Sequence, residues 1–149
     1  MIRLAQVADA PQLQRICEQA LGYPASLELV EQQLLKLLQD RDHHMIFVAT
    51  KGCDGTGQVL GFVHAQRYET FYAESGVNIL ALAVLPTHHH LGIGRALMAK
   101  IEHLASQKGL AFVRLNSGSQ RKQAHHFYQR LGYRSDKLQK RFLKELPMD

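Results

Sequence analysis

The stretch that most constrains this chain runs from Leu80 to Leu104, LALAVLPTHHHLGIGRALMAKIEHL. It opens inside an unbroken apolar run, Ile79 to Leu85, aliphatic and short enough to predict a buried strand. Pro86 stops the run, and a turn with three histidines leads to Gly92-Ile93-Gly94. Apolar residues then recur at Ile93, Leu97, Met98, Ile101, Leu104 and Ala105, the spacing of one helical face. The unit is strand, glycine-containing turn, helix. Such a turn leaves main-chain N–H groups unpaired at a helix N-terminus, where the dipole adds partial positive charge. That is an anion site made of backbone, and it points to a phosphate-bearing ligand.

Around this unit the chain alternates irregularly. Ile2 to Leu4 predicts a short strand, and Asp9 before Ala10-Pro11 predicts a capped helix with Leu13, Ile16, Cys17, Ala20 and Leu21 buried, closed by Gly22 and Pro24. A second helix follows Ser26, with Leu27, Val30, Leu34, Leu37 and Leu38 on one face. Met45 to Thr50 and Val59 to Tyr68 predict a hairpin around a glycine-rich tip, and Val77 to Leu85 the central strand. Beyond the helix that ends at Lys108-Gly109 come a strand at Phe112 to Leu115, a helix from Gln120 to Gly132, and a β-rich tail, Tyr133 to Leu146, expected to supply one or two more strands. This order predicts an α/β, mixed α+β sheet in one domain spanning residues 1–149. No acidic residue follows the glycine turn at the distance a ribose-binding carboxylate needs, so a dinucleotide site is disfavoured.

Charge divides unevenly. Residues 1–94 hold six Lys and Arg against nine Asp and Glu, net −3, and residues 95–149 hold twelve against four, net +8. A basic half suits an anionic cofactor and an acidic half a cationic partner. The apolar runs are too short to cross a bilayer and the N-terminus lacks a secretory core, so a cytoplasmic protein without membrane contact is expected. Cys17 and Cys53 then read as unpaired thiols. The chain has nine histidines, but the adjacent ones at His88 to His90 cannot readily share one ion, and no Cys or carboxylate completes a ligand spacing; no metal is expected. No aromatic stacking motif or recognition-helix pattern accompanies the basic half, so no nucleic acid is expected either.

Two segments carry a family resemblance. Ala83-Val84-Leu85-Pro86 leads into His89-His90-Leu91-Gly92-Ile93-Gly94-Arg95-Ala96, and some thirty residues on stands Ala124-His125-His126-Phe127-Tyr128-Gln129-Arg130-Leu131-Gly132-Tyr133. With the element order, these resemble the GNAT superfamily of N-acetyltransferases over nearly the whole chain. The family's turn usually begins with Arg or Gln, where this chain has His89. The resemblance implies a mostly antiparallel, splayed central sheet flanked by helices, and acetyl-CoA as co-substrate. Its pyrophosphate would sit on the main chain of His90, Leu91, Gly92, Ile93, Gly94 and Arg95, with His89 beside it. Its pantetheine would pair with the main chain at Leu82 and Val84, and Asn116, Ser117 and Arg121 are further polar contacts.

For the chemistry, the resemblance makes Tyr128 the general acid that protonates the departing thiolate, a role that a phenol of ordinary pKa ~10 can fill at neutral pH. The general base is less legible. Some family members have Glu near the position of Asn78, and Asn cannot act as a base; Glu74, Glu69 and His64 are the nearby alternatives, with Glu74 taken as the candidate. The implied reaction is direct acetyl transfer to a primary amine in a ternary complex, with no acyl-enzyme, since neither cysteine holds a motif position. The mixed aromatic and acidic segment Tyr68 to Glu74 suits a small cationic amine, although a protein amine is also compatible. The competing expectation is a non-catalytic CoA-binding or regulatory module of the same fold. Homodimers are common in the family.

Overall fold

A computed structural model describes residues Met1 to Met148. The chain forms two compact units, Met1–Asn116 and Ser117–Asp149. The first holds a five-stranded sheet in chain order: β1 (Ile2–Leu4), β2 (His44–Thr50), β3 (Val59–Tyr68), β4 (Gly76–Val84) and β5 (Val113–Leu115). The first three pairings are antiparallel and β4–β5 is parallel, the mostly antiparallel mixed sheet that was expected.

Helices α1 (Ala10–Ile16) and α2 (Leu27–Leu38) cover one face. Leu13, Ile16 and Leu34 form a buried cluster there with Ile46, Val48, Phe62 and Ala83. Strand alternation sends Phe47 to the opposite face. There α3 (Ile93–Gln107) packs on β2, β3 and β4, burying Leu97, Met98, Ile101 and Ala105 and holding Lys100 Nζ 5.4 Å from the Phe47 ring centre.

Local chemistry explains most boundaries. Ser26 Oγ accepts from Leu29 N–H at 3.2 Å and caps α2. Asp9 stands at the expected cap position but does not cap α1. Its carboxylate is drawn back to Arg3, accepting from Nη1 and Nη2 at 2.8 Å each, and from the Gln6 N–H at 2.8 Å. The helix after Ile16 widens into one π turn, Cys17–Leu21, and stops at Gly22, whose φ of 72° needs a residue without a side chain.

Two expectations are corrected. Ile79 to Leu85 is not buried throughout, because Leu80 is 47% exposed. It is the extra residue of a β-bulge: Ala65 faces Ile79 while His64 faces Ala81. And the tail from Tyr133 to Leu146 forms no strand. Its β-type residues belong to no ladder of the sheet, and strand propensity without a partner strand does not make a strand. Leu138, Phe142, Leu143 and Leu146 are exposed. In the second unit α4 (Lys122–Arg130) forms where expected and closes at Gly132, φ 96°. Among the described residues no helix is long and apolar enough to cross a membrane.

Candidate active site

The bulge at Leu80 divides β4 and sets which way its main chain faces. Before it, Val77 donates its N–H to Phe112 O, on the β5 side. After it, Leu85 donates to Leu60 O at 2.8 Å, on the β3 side. Strand alternation then makes Ala83 exchange hydrogen bonds with Phe62, and turns the N–H and C=O of Leu82 and Val84 away from β3. The β4–β5 ladder stops at Ile79 and Leu115. Leu82 and Val84 therefore present main-chain groups on the side where β5 has already left off, which is the expected splay. The inserted residue shifts the parity of the strand, so that Leu82 and Val84 rather than Ala81 and Ala83 face that side.

The turn after β4 supplies a second set of open main-chain groups. Pro86–His88 makes a 3-10 turn, His90 takes a left-handed φ of 66°, and Gly92, φ 81°, caps α3. The first helical hydrogen bond here is Ala96 N–H to Gly92 O at 3.0 Å. The N–H groups from His90 to Arg95 have no main-chain acceptor among the described residues. Six N–H groups in succession, through two left-handed residues and into a 15-residue helix, make a run of main-chain donors suited to an anion. Gly92 is required by its backbone angle: a Cβ there meets nothing within 4 Å. Two of the three histidines have hydrogen-bond partners of their own. His88 Nδ1 lies 2.9 Å from Thr87 Oγ1, and His89 Nε2 lies 2.9 Å from Val84 O. A carbonyl only accepts, so His89 carries its proton on Nε2 and closes one of the acceptors on the open edge.

Leu82, Val84, His89 through Arg95 and Asn116 all belong to the first unit, and Asn116 Oδ1 accepts from Arg114 Nη2 at 3.2 Å. Arg121 and Tyr128 belong to the second. Tyr128 is half-buried on α4, edge-on to Phe127 (5.1 Å) and Tyr133 (6.0 Å). Burial raises its pKa, opposed by the nearby Arg121 charge, so the phenol keeps its proton at neutral pH. Ser117 Oγ is buried without a hydrogen-bond partner among the described residues, a donor left available to a ligand.

The base candidates separate clearly. Glu69 accepts from Ser75 Oγ at 2.8 Å and pairs with Arg67 Nε at 3.3 Å; the serine bond first, then the arginine charge, hold its pKa low. His64 is pushed down to about 4, by burial first and then by His44, whose Nδ1 lies 3.0 Å from His64 Nε2. Glu74 is exposed in the β3–β4 connection, with no ion pair or side-chain hydrogen bond among the described residues. Beside it Phe71 and Tyr72 are also exposed, at 101% and 77%.

Sequence reasoning passed over one feature of this sheet. His44, Gln66, Asn78 and Arg114 stand directly opposite one another across β2, β3, β4 and β5, a half-buried polar row one rung before the bulge. Only cross-strand register reveals it, since the four are far apart in the chain.

A family model of the acetyltransferase (GNAT) family matches residues 10–133. An uncharacterized N-acetyltransferase of Chlorobaculum tepidum is 34% identical over 136 residues, covering 89% of this chain and 74% of that protein. Among solved structures, glucosamine-6-phosphate N-acetyltransferase of Arabidopsis thaliana superposes with a TM-score of 0.82 at 16% identity, over 97% of this chain and 98% of that one. The aminoglycoside 6'-N-acetyltransferase of Acinetobacter haemolyticus gives 0.80 at 17% identity, over 99% of each chain. At such identities the two structures speak for the fold alone. The chain belongs to the acetyltransferase (GNAT) family, and is by that membership an N-acetyltransferase.

Proposed function

We propose that the protein transfers the acetyl group of acetyl-CoA directly to a primary amine within a ternary complex. The observation that carries this reading is the pair of open main-chain surfaces in the first unit: the Leu82 and Val84 edge, and the succession of N–H groups from His90 to Arg95. Pantetheine amides pair with the first and the pyrophosphate is held by the second, with Arg95 adding charge from the first turn of α3. Asn116, Ser117 and Arg121 contribute polar side chains to the same co-substrate. Because His89 already holds Val84 O, the main chain of Leu82 and the Val84 N–H bear the pairing.

In the reaction the amine nitrogen attacks the thioester carbonyl, the C–N bond forms and the C–S bond breaks. Tyr128 donates its phenolic proton to the leaving thiolate. Glu74 takes the ammonium proton through water; it is the one carboxylate of the Tyr68–Glu74 segment not already bound, and that segment admits a cationic amine. A main-chain N–H of β4 stabilises the oxyanion.

Thiol release from acetyl-CoA across a panel of amines tests the activity. Binding of acetyl-CoA with no release for any amine would instead identify a non-catalytic CoA-binding module. Tyr128→Phe should lower kcat at least ~10-fold with little change in acetyl-CoA affinity; unchanged turnover removes Tyr128 from the chemistry. Gly94→Val should weaken acetyl-CoA binding measured by calorimetry, and unaltered affinity would dismiss the cradle.

A further inference from the structure

Three arginines lie on the strands of this sheet, and two of them have carboxylate partners. Arg3 on β1 grips Asp9 with two bonds of 2.8 Å, and Arg67 on β3 pairs with Glu69 at 3.3 Å. Arg114 on β5 is half-buried as well, yet none of the ion pairs among the described residues includes it. Its partners are neutral: Nη1 donates to Asn78 Oδ1 at 2.8 Å, Nη2 to Asn116 Oδ1 at 3.2 Å, and the guanidinium lies 4.7 Å from the centre of the Tyr68 ring. A guanidinium has five N–H donors, and the described residues engage two of them. A partly desolvated cation held in a fixed orientation by two amide oxygens and a ring, with its charge unpaired, is built to receive an anion.

Position decides which anion. Asn78 and Arg114 face each other one rung before the last rung of the β4–β5 ladder, Ile79–Leu115. Beyond that rung, β4 bulges and its main chain opens. Arg114 thus lies on the closed side of the gap, one rung short of where β4 and β5 part. Its neighbours along the row, Gln66 and His44, contribute no negative charge.

We propose that Arg114 is a carboxylate-binding subsite for the acceptor, so that the amine acetylated by this protein is itself an amino acid or another amine bearing a carboxylate. The inference rests on the acetyl-transfer reading above. Asn78 and Asn116 orient the guanidinium, the Tyr68 ring supports it from one side, and the acceptor carboxylate supplies the counter-charge that the protein withholds. The acceptor is then zwitterionic.

Initial rates of thiol release with glycine, β-alanine, 4-aminobutyrate, 6-aminohexanoate and L-lysine, each against its own carboxamide, test the proposal and measure the distance from carboxylate to amine. For at least one pair the acid should have a KM ~10-fold or more below that of the amide, the size of one charge-assisted contact. Arg114→Gln should abolish that preference by raising the KM of the acid, leaving kcat and acetyl-CoA affinity near wild type, and Arg114→Lys should restore part of it. Amides used as well as acids by the wild type, or a preference that survives Arg114→Gln, would overturn the subsite. Should no amine release thiol, calorimetry of the N-acetylated acids against CoA-loaded protein separates the two readings. Binding that is lost in Arg114→Gln sustains the subsite and refutes transfer, whereas no binding to the wild type refutes both. A thermal melt confirms folding, and Arg114→Lys carries the test if Arg114→Gln does not fold.

Discussion

From Val77 to Ile79, β4 is paired on both sides, with β3 and with β5; from Ala81 to Val84 it is paired with β3 alone. The first half carries Asn78, one member of a polar row that crosses four strands, and the second half is entirely aliphatic or alanine. In an ordinary sheet the aliphatic half would be the buried, fully paired one. Here the polar half is tied down and the apolar half offers its backbone. Side-chain hydrophobicity and main-chain availability are independent properties of a strand, and here the apolar half is the one whose edge stays free to pair.

Proline at two adjacent positions of the open half has the largest expected effect. Ala83→Pro removes an N–H directed at Phe62 and leaves a buried carbonyl unpaired, for an expected loss of about 3 kcal/mol in urea unfolding. Leu82→Pro removes an N–H directed away from β3, so its stability cost should be clearly smaller while acetyl-CoA affinity falls. Equal stability losses would mean that the bulge does not set the parity.

Next in size is the pH dependence at the junction of the two halves, where His64 faces Ala81. The folded pKa of about 4 lies below the ordinary 6.5, so between those values the unfolded chain binds the proton more readily. Stability from this residue is complete above pH 6.5, declines as the pH falls towards 4 and levels off below, by at most about 3 kcal/mol. The difference in unfolding free energy between wild type and His64→Gln, followed from pH 7.5 to 4, should show that slope; a flat difference would place His64 in a wetter site.

The smallest effect belongs to the paired half. Asn78→Ala deletes the acceptor that holds Arg114 Nη1 and should cost about 1–2 kcal/mol, with a looser acid-over-amide preference and no change in acetyl-CoA affinity. Unchanged acceptor preference would make Asn78 a packing residue only.

Much of this was legible beforehand because it is written locally. The capping serine at Ser26, the glycine stops at Gly22, Gly109 and Gly132, and the helical spacing from Ile93 to Ala105 each act over a few residues, so the elements fell where the pattern put them. Asp9 misled because a carboxylate beside a helix start has two uses, and Arg3, six residues earlier, outcompeted the cap. Leu80 misled because a continuous apolar run cannot show a bulge: that extra residue exists only relative to β3. The tail misled because its composition is that of a strand and the partner strand is not part of composition.

Where the chain turns, which faces are apolar, and that a glycine turn opens a helix just after an aliphatic strand all follow from backbone sterics and periodicity within one segment. Which main-chain groups of that strand are free, that His89 reaches back to Val84, and that Arg114 stands beside Asn78 without a counter-charge among the described residues emerge only from the folded sheet. Each of those depends on register between strands, and register is set by the packing of the whole sheet.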